Sequence, residues 1–328
     1  MSIRPLAQTP SPPDRSLDSG ASDLGSSRLN HVLESQQFTV PLLMELFDRA
    51  CGMERVVARG GSLDYQNRIM AALFYQPSTR TRLSFEAAMH RLGGRVLSTE
   101  HASVFSSEVE GEQVEDSIRI IGSYSDVIVI RHPEAGGARR AAQVSPVPVI
   151  NAGDGEGGQH PTQALLDLYT IYRTRPLGGL SVAMIGELDQ GRTARSLAYL
   201  LAKFERVRIF FVSPPELRMR SDIFEYLDRH GVWYAVESDL DRVIAEVDVI
   251  YQTRIRPERV VNTSVDRYAI SSRLLERMKA DAIILHPLPR TVEVDKTVDD
   301  DPRARYFRQA ANGLYVRMAL LTMLLEKE

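Results

Sequence analysis

The stretch LSVAMIGELDQGRTARSLAYLLAKF, residues 180–204, decides the fold. It runs from a short apolar segment through a glycine-bounded turn into apolar positions at helical spacing, and so reads as strand, turn and helix. Its turn, GELDQGRT at 186–193, fits the nucleotide-binding spacing G-x-x-x-x-G-K-[ST] at every position except the lysine, which is Arg192. One residue therefore separates a phosphate cradle from something else.

The same rhythm extends in both directions. Upstream, a helix is expected near TVPLLMELFDRA, a strand at RIMAALFY, a helix at RLSFEAAMHRLG, strands at DVIVI and PVPVI, and a helix at PTQALLDLYTIYR. Downstream, helices alternate with RIFFV, VWYAV, DVIYQ and AIIL before a final helix. Strands alternating with helices imply parallel sheets with crossover helices, an α/β class. Pro176, Gly178 and Gly179 interrupt the pattern, so two domains joined near residue 175 are expected, 28–175 and 176–304, with a last helix over about 305–328.

Composition narrows the partners. The chain has 328 residues, 43% of them hydrophobic and 25% charged, the balance of a soluble globular protein. A net charge of -3 argues against nucleic acid as a partner, and no apolar run is long enough to span a membrane. Cys51 is the one cysteine, which excludes an intrachain disulfide and a thiolate metal cluster; a helix-buried thiol in a reducing, cytoplasmic setting is the expectation. Residues 1–27 are rich in Ser and Pro and carry Asp14, Asp18 and Asp23, a composition read as a disordered tail rather than a targeting segment. Only Lys203, Lys279, Lys296 and Lys327 are lysines, so arginine does most of the cationic work.

The richest chemistry lies in FYQPSTRTRLSFE, residues 74–86, where a buried strand passes through Pro77 into hydroxyls and arginines at a helix start. Free backbone N–H groups and the positive helix end bind anions, and Ser78, Thr79, Arg80 and Thr81 add donors suited to phosphate. The plain alternative is a capped helix. RHP at 131–133 and HPTQ at 160–163 each follow an expected strand, where open α/β sheets place ligands. Arg131 and His160 can donate to a carbonyl oxygen, and Gln163 can pair with an NH2 group.

At this point the chain resembles the catalytic chains of the aspartate carbamoyltransferase family. PSTRTRLSFE, MHRLGG, RHP, INAGDG, HPTQALLDLYTI, GRT, YQTRI, HPLPR and YFRQAANGLYVRMALL carry the likeness, in this order, from about Asn30 to the C-terminus. The resemblance implies two domains, each a mostly parallel sheet flanked by helices, with the C-terminal helix packing back on the first. It implies a homotrimer with active sites shared between subunits, no cofactor and no metal, and carbamoyl transfer from carbamoyl phosphate to L-aspartate in pyrimidine biosynthesis. Ser78, Thr79, Arg80 and Thr81 would then hold the phosphate, Thr81, Arg131 and His160 the carbamoyl oxygen, and Gln163 the carbamoyl nitrogen. Arg192 and Thr193 would bind one carboxylate of the acceptor and Arg254 the other, since a guanidinium fork matches a carboxylate bidentately. Leu288 and Pro289 would offer backbone carbonyls to the amino group, and Pro287 stands where ornithine-specific relatives resemble one another in having cysteine.

Three positions depart from the family pattern. The loop that resembles the family's intersubunit loop has Ser106 and, in place of a lysine, Glu110. Gln76 replaces a glutamate before PSTRT, and Arg256 replaces a glutamine after the QTR arginine. Like charges near 4 Å at an effective dielectric of 20 repel by roughly 4 kcal/mol, so Glu110 beside a phosphate would be costly. The three replacements keep the same net charge, and the expectation is that Arg256 takes over anion binding while Glu110 pairs with it or faces a different acceptor. Val292 and Glu293 after HPLPR depart more weakly, with part of an interdomain contact expected to be lost. A non-catalytic carbamoyl-phosphate-binding subunit is the alternative of another class; phosphate release in the presence of an amino acid separates the two. A P-loop NTPase lacks its lysine, and a Rossmann dehydrogenase lacks G-x-G-x-x-G.

Overall fold

The computed structural model describes residues 29–100, 113–260 and 264–326. Two parallel sheets are flanked by helices. The first has the order β2-β1-β3-β4, from β1 (Ile69–Phe74), β2 (Arg95–Glu100), β3 (Val127–Arg131) and β4 (Val149–Asn151). The second has the order β7-β6-β5-β8-β9, from β5 (Ser181–Ile185), β6 (Arg208–Val212), β7 (Trp233–Glu237), β8 (Val249–Gln252) and β9 (Ile283–Leu285). All the paired strands run parallel. The inner strands read IMAALF and SVAMI because helices cover both of their faces, which removes any need for alternation.

In chain order the longer helices are α1 (Val40–Ala58), α2 (Thr79–Arg91), α3 (Val114–Gly122), α4 (Gly137–Val144), α5 (Pro161–Tyr172), α6 (Arg192–Leu201), α7 (Ser221–Arg229) and α8 (Tyr306–Leu325). The C-terminal helix α8 packs against α1, α2 and α5, back on the first sheet's side. Helix α5 also lies against α6, so one apolar cluster runs from Phe47 and Tyr169 through Leu197 to Tyr251, while each sheet buries a separate cluster on its far face.

Three sequence expectations change. Strand β2, RVLSTE, has too few apolar residues to announce itself, and it forms at a sheet edge by pairing with β1. The helix expected between β7 and β8 is only a short 3-10 turn, Leu240–Arg242. Cys51 lies on α1 but is exposed, because the buried face of that helix is carried by Leu42, Leu43, Leu46, Phe47 and Ala50. No described helix is long and apolar enough to cross a membrane.

Each sheet reverses its winding once, between β1 and β3 in the first and between β5 and β8 in the second. Crevices open at the carboxyl ends of strands at such points. PSTRT and Arg131 follow β1 and end β3; GELDQGRT and Thr253–Arg254 follow β5 and β8.

Candidate active site

Two cavities meet between the sheets. One, of about 800 Å³, is lined by Ser78, Thr79, Arg80, Thr81, Arg131, His160 and Gln163, with Arg317 from α8. The other, of about 400 Å³, is lined by Arg192, Thr193, Arg254, Arg256, Leu288 and Pro289, together with Gln76, Glu156 and Glu187. Arg192, Thr193 and the His286–Pro289 segment form a wall common to both. Sequence-selected residues from six separate stretches are thus brought together. Ser106 and Glu110 lie outside the described residues.

The larger cavity is built for an anion. Helix α2 starts with no side-chain cap on Ser78 and no acid in its first turn, so the capped-helix alternative does not hold and the positive end faces the cavity. Burial lowers Arg131 to about 9, helped by the positive charges of Arg192 and Arg80. Burial lowers Arg192 and Arg80 as well. The three guanidiniums converge without a carboxylate bonded to any of them among the described residues, an arrangement that a bound anion would relieve.

Gly153 marks the point of convergence. Its φ is +110°, and a Cβ there would stand 2.9 Å from Arg131 Nη1, 3.1 Å from His160 Cδ2 and 3.4 Å from the Arg192 guanidinium carbon. Only glycine gives these side chains room to close on one spot. His160 precedes α5, is buried, and is held neutral because burial and the charges of Arg131, Arg192 and Arg317 all lower its pKa. Its backbone N–H donates to Ser196 Oγ at 3.0 Å, which ties it to α6. Gln163 donates its amide NH2 to Asp167 Oδ1 at 2.8 Å, leaving its oxygen as the acceptor for a ligand NH2 group.

The smaller cavity presents guanidinium groups in different states. Arg192 donates to the Asp154 carbonyl at 2.9 Å. Arg254 is exposed, with its own carbonyl accepting from Glu187 N–H at 3.2 Å. Arg256 is not a free anion-binding group. Its guanidinium Nη2 lies 2.9 Å from Glu187 Oε2, and Arg259 shares that oxygen at 3.0 Å. The expectation that Arg256 replaces the missing cation is corrected by this pairing, which neutralises it from within its own domain.

The wall formed by HPLPR is fixed from behind. Leu288 N–H donates to His286 Nδ1 at 2.7 Å, so the ring proton is on Nε2, which donates to Glu293 Oε1 at 2.9 Å. Burial alone would raise Glu293, but the hydrogen bonds from His286 and Thr291 bring it down to about 2. Glu293, expected to mark a weakened interdomain contact, instead holds the loop that carries Leu288 and Pro289.

Sequence reading overlooked Asp167, Gln309, Arg317 and Glu187. A signal existed for two of them. Asp167 interrupts the apolar run ALLDLYTI and Arg317 interrupts YVRMALL, and both are buried. A charge in an otherwise apolar helix is rarely buried unless paired. Among the described residues, no group of His, Cys, Asp and Glu is placed to hold a metal ion.

Residues 30–173 match the aspartate/ornithine carbamoyltransferase, carbamoyl-P binding domain, and residues 178–324 match the corresponding Asp/Orn binding domain. The chain is 52% identical to the chloroplastic aspartate carbamoyltransferase of Oryza sativa over 92% of its own length and 86% of that protein's. It is similar to aspartate transcarbamoylase from Trypanosoma cruzi solved with carbamoyl phosphate and aspartate, with a TM-score of 0.83 and 38% identity over 90% of this chain and 97% of that one. The same Trypanosoma enzyme solved with N-(phosphonacetyl)-L-aspartic acid gives a TM-score of 0.85, again at 38% identity, over 90% of this chain and 96% of that one. With two matched domains in sequence and cavities at both winding reversals, the chain belongs to the aspartate/ornithine carbamoyltransferase family.

Proposed function

We propose that this protein transfers the carbamoyl group of carbamoyl phosphate to the amino group of L-aspartate, giving N-carbamoyl-L-aspartate and phosphate. The observation that carries the reading is the pair of joined cavities. One lies at an uncapped helix start and is lined by Arg80 and Arg131, and the other is lined by Arg192 and Arg254, which suits them to an anion and to a carboxylate. Residues 28–175, completed by the last helix, would bind carbamoyl phosphate, and 176–304 the amino acid, a division supported by the two family matches.

In this reading Ser78, Thr79, Arg80 and Thr81 hold the phosphate. Thr81, Arg131 and neutral His160 donate to the carbamoyl oxygen, and the Gln163 oxygen accepts from the carbamoyl NH2. The uncharged aspartate amine, oriented by the Leu288 and Pro289 carbonyls, attacks the carbonyl carbon. Charge grows on the oxygen, where donors are already aimed; removing one such donor costs on the order of 10²–10³ in kcat. The C–O bond to phosphate breaks, and the departing phosphate takes the amine proton, so no protein base is required. Arg192 and Arg254 hold the two carboxylates and bring the amine into register.

A homotrimer in which the neighbouring subunit contributes Ser106 and Glu110 is part of the proposal, as is a cytoplasmic location, supported by a single exposed thiol of the kind reducing compartments tolerate. The test is a screen of amino acids with carbamoyl phosphate, reading product by mass and phosphate release together. N-carbamoyl-L-aspartate as the main product is expected. A different carbamoylated amine would assign the altered acceptor that Glu110, Arg256 and Gln76 raise, and no product with any amine would favour a binding subunit.

A further inference from the structure

The group that would hold the carbamoyl nitrogen and the stretches that would hold the acceptor meet at one buried carboxylate. Asp167 is completely buried on α5. Its Oδ1 accepts from Gln163 Nε2 at 2.8 Å and from Gln309 Nε2 at 2.6 Å, and its Oδ2 accepts from the Tyr251 phenol at 2.7 Å. The three donors come from three parts of the fold: Gln163 from α5, Gln309 from α8 and Tyr251 from β8 of the second sheet.

Two of them continue toward the acceptor cavity. The Gln309 oxygen accepts from His286 N–H at 2.8 Å, and His286 in turn receives Leu288 N–H at 2.7 Å. Tyr251 lies on the strand that delivers Thr253 and Arg254 to the cavity wall. One unbroken hydrogen-bonded chain therefore runs from Leu288 through His286, Gln309 and Asp167 to Gln163, with a branch to Tyr251.

The carboxylate gives that chain its direction. An ionised carboxylate only accepts, so each glutamine must turn its NH2 toward Asp167 and its oxygen away from it. For Gln163 the oxygen is then left to face the cavity; a flipped amide would set oxygen against oxygen. A buried carboxylate is costly unless satisfied. Here three donors and the nearby buried Arg317, whose charge favours ionisation, offset part of that cost.

We propose that Asp167 is a positioning residue that fixes the Gln163 amide with its oxygen toward the carbamoyl group and ties this orientation, through Tyr251 and through Gln309 and His286, to the acceptor cavity. The proposal rests on the functional reading above and goes beyond it by assigning roles to Asp167 and Tyr251, which line neither cavity. The two half-sites then share one polar spine, and loosening it at the acceptor end weakens carbamoyl phosphate binding.

The test uses the full chain, with kinetics for both substrates and affinity for N-(phosphonacetyl)-L-aspartate. If wild-type protein neither forms N-carbamoyl-L-aspartate nor binds this analogue, the functional reading falls and the proposal with it. With wild type active, Tyr251→Phe should lower analogue affinity and kcat/KM for carbamoyl phosphate about tenfold, the loss expected for a hydrogen bond to a charged group. In a Gln163→Ala background the same change should add almost nothing, because its effect passes through Gln163. Asp167→Asn should lower both quantities further than Tyr251→Phe; should it fail to fold, the Tyr251→Phe cycle decides alone. Parameters for Tyr251→Phe within twofold of wild type, or losses that multiply independently with Gln163→Ala, would overturn the proposal.

Discussion

Glu187 and Arg256 face each other across the acceptor cavity wall as a paired carboxylate and guanidinium, with Nη2 2.9 Å and Nε 3.1 Å from Oε2. Glu187 also receives the Arg256 backbone N–H and the Arg259 guanidinium, so one side chain clasps the turn after β5 to the loop after β8. The pairing makes unequal predictions for its members. Arg256→Gln should change KM for aspartate by no more than about threefold, since its charge is already neutralised. Glu187→Gln leaves the Arg256 guanidinium uncompensated beside Arg254, while Arg259 keeps Asp189 Oδ2 at 2.7 Å, and should lower kcat/KM for aspartate by about tenfold or more, the scale of a charge-assisted hydrogen bond. Steady-state kinetics with both variants checks the order, and equal losses would contradict it.

Gly153 tests the convergence of Arg131, His160 and Arg192. Alanine there must adopt a φ of +110° and set a methyl 2.9 Å from Arg131 Nη1. Gly153→Ala is expected to raise KM for carbamoyl phosphate at least tenfold, with a smaller change in KM for aspartate. A variant that kept wild-type affinity for carbamoyl phosphate would show that these side chains do not act at one point.

Acid stability follows from Glu293. Its folded value of about 2 lies below the ordinary 4.5, so its contribution is complete above 4.5 and is lost as pH falls toward 2. Glu293→Gln should be less stable than wild type near pH 7 but lose less stability between pH 5 and 2. Asp167 acts with the opposite sign: burial raises it from 3.8 to about 6, so its contribution fades as pH rises through that window. Denaturant midpoints measured across pH for wild type and Glu293→Gln decide the point, and parallel acid limbs would rule it out.

Glu110→Lys addresses the proposed intersubunit loop. If a neighbour's residue 110 approaches the phosphate, restoring a cation should raise kcat/KM for carbamoyl phosphate by about tenfold or more, given roughly 4 kcal/mol for one charge pair at 4 Å and a dielectric of 20. Unchanged turnover would remove this loop from the site.

Much of the site was legible because its chemistry is local. PSTRT, HPTQ and GRT each follow a buried strand and open a helix, and exposed backbone donors at such junctions need nothing from the rest of the chain. Strand β2 was not legible, because an edge strand with a polar sequence is specified by its partner rather than by its own pattern. Cys51 misled for a related reason: one position on a helix does not reveal which face is covered.

The sequence by itself determined the α/β class, the strand-to-helix junctions proposed to carry phosphate and carboxylate chemistry, and the presence of Arg192 where a nucleotide loop has lysine. The tertiary structure alone decided which charges are free. Arg256 and Glu187 are 69 positions apart, Asp167 and Gln309 are 142 apart, and in each case the partner is set by how sheet and helix layers pack. A guanidinium is an anion site when no carboxylate answers it and a structural tie when one does. Sequence spacing at such separations carries no record of which has occurred.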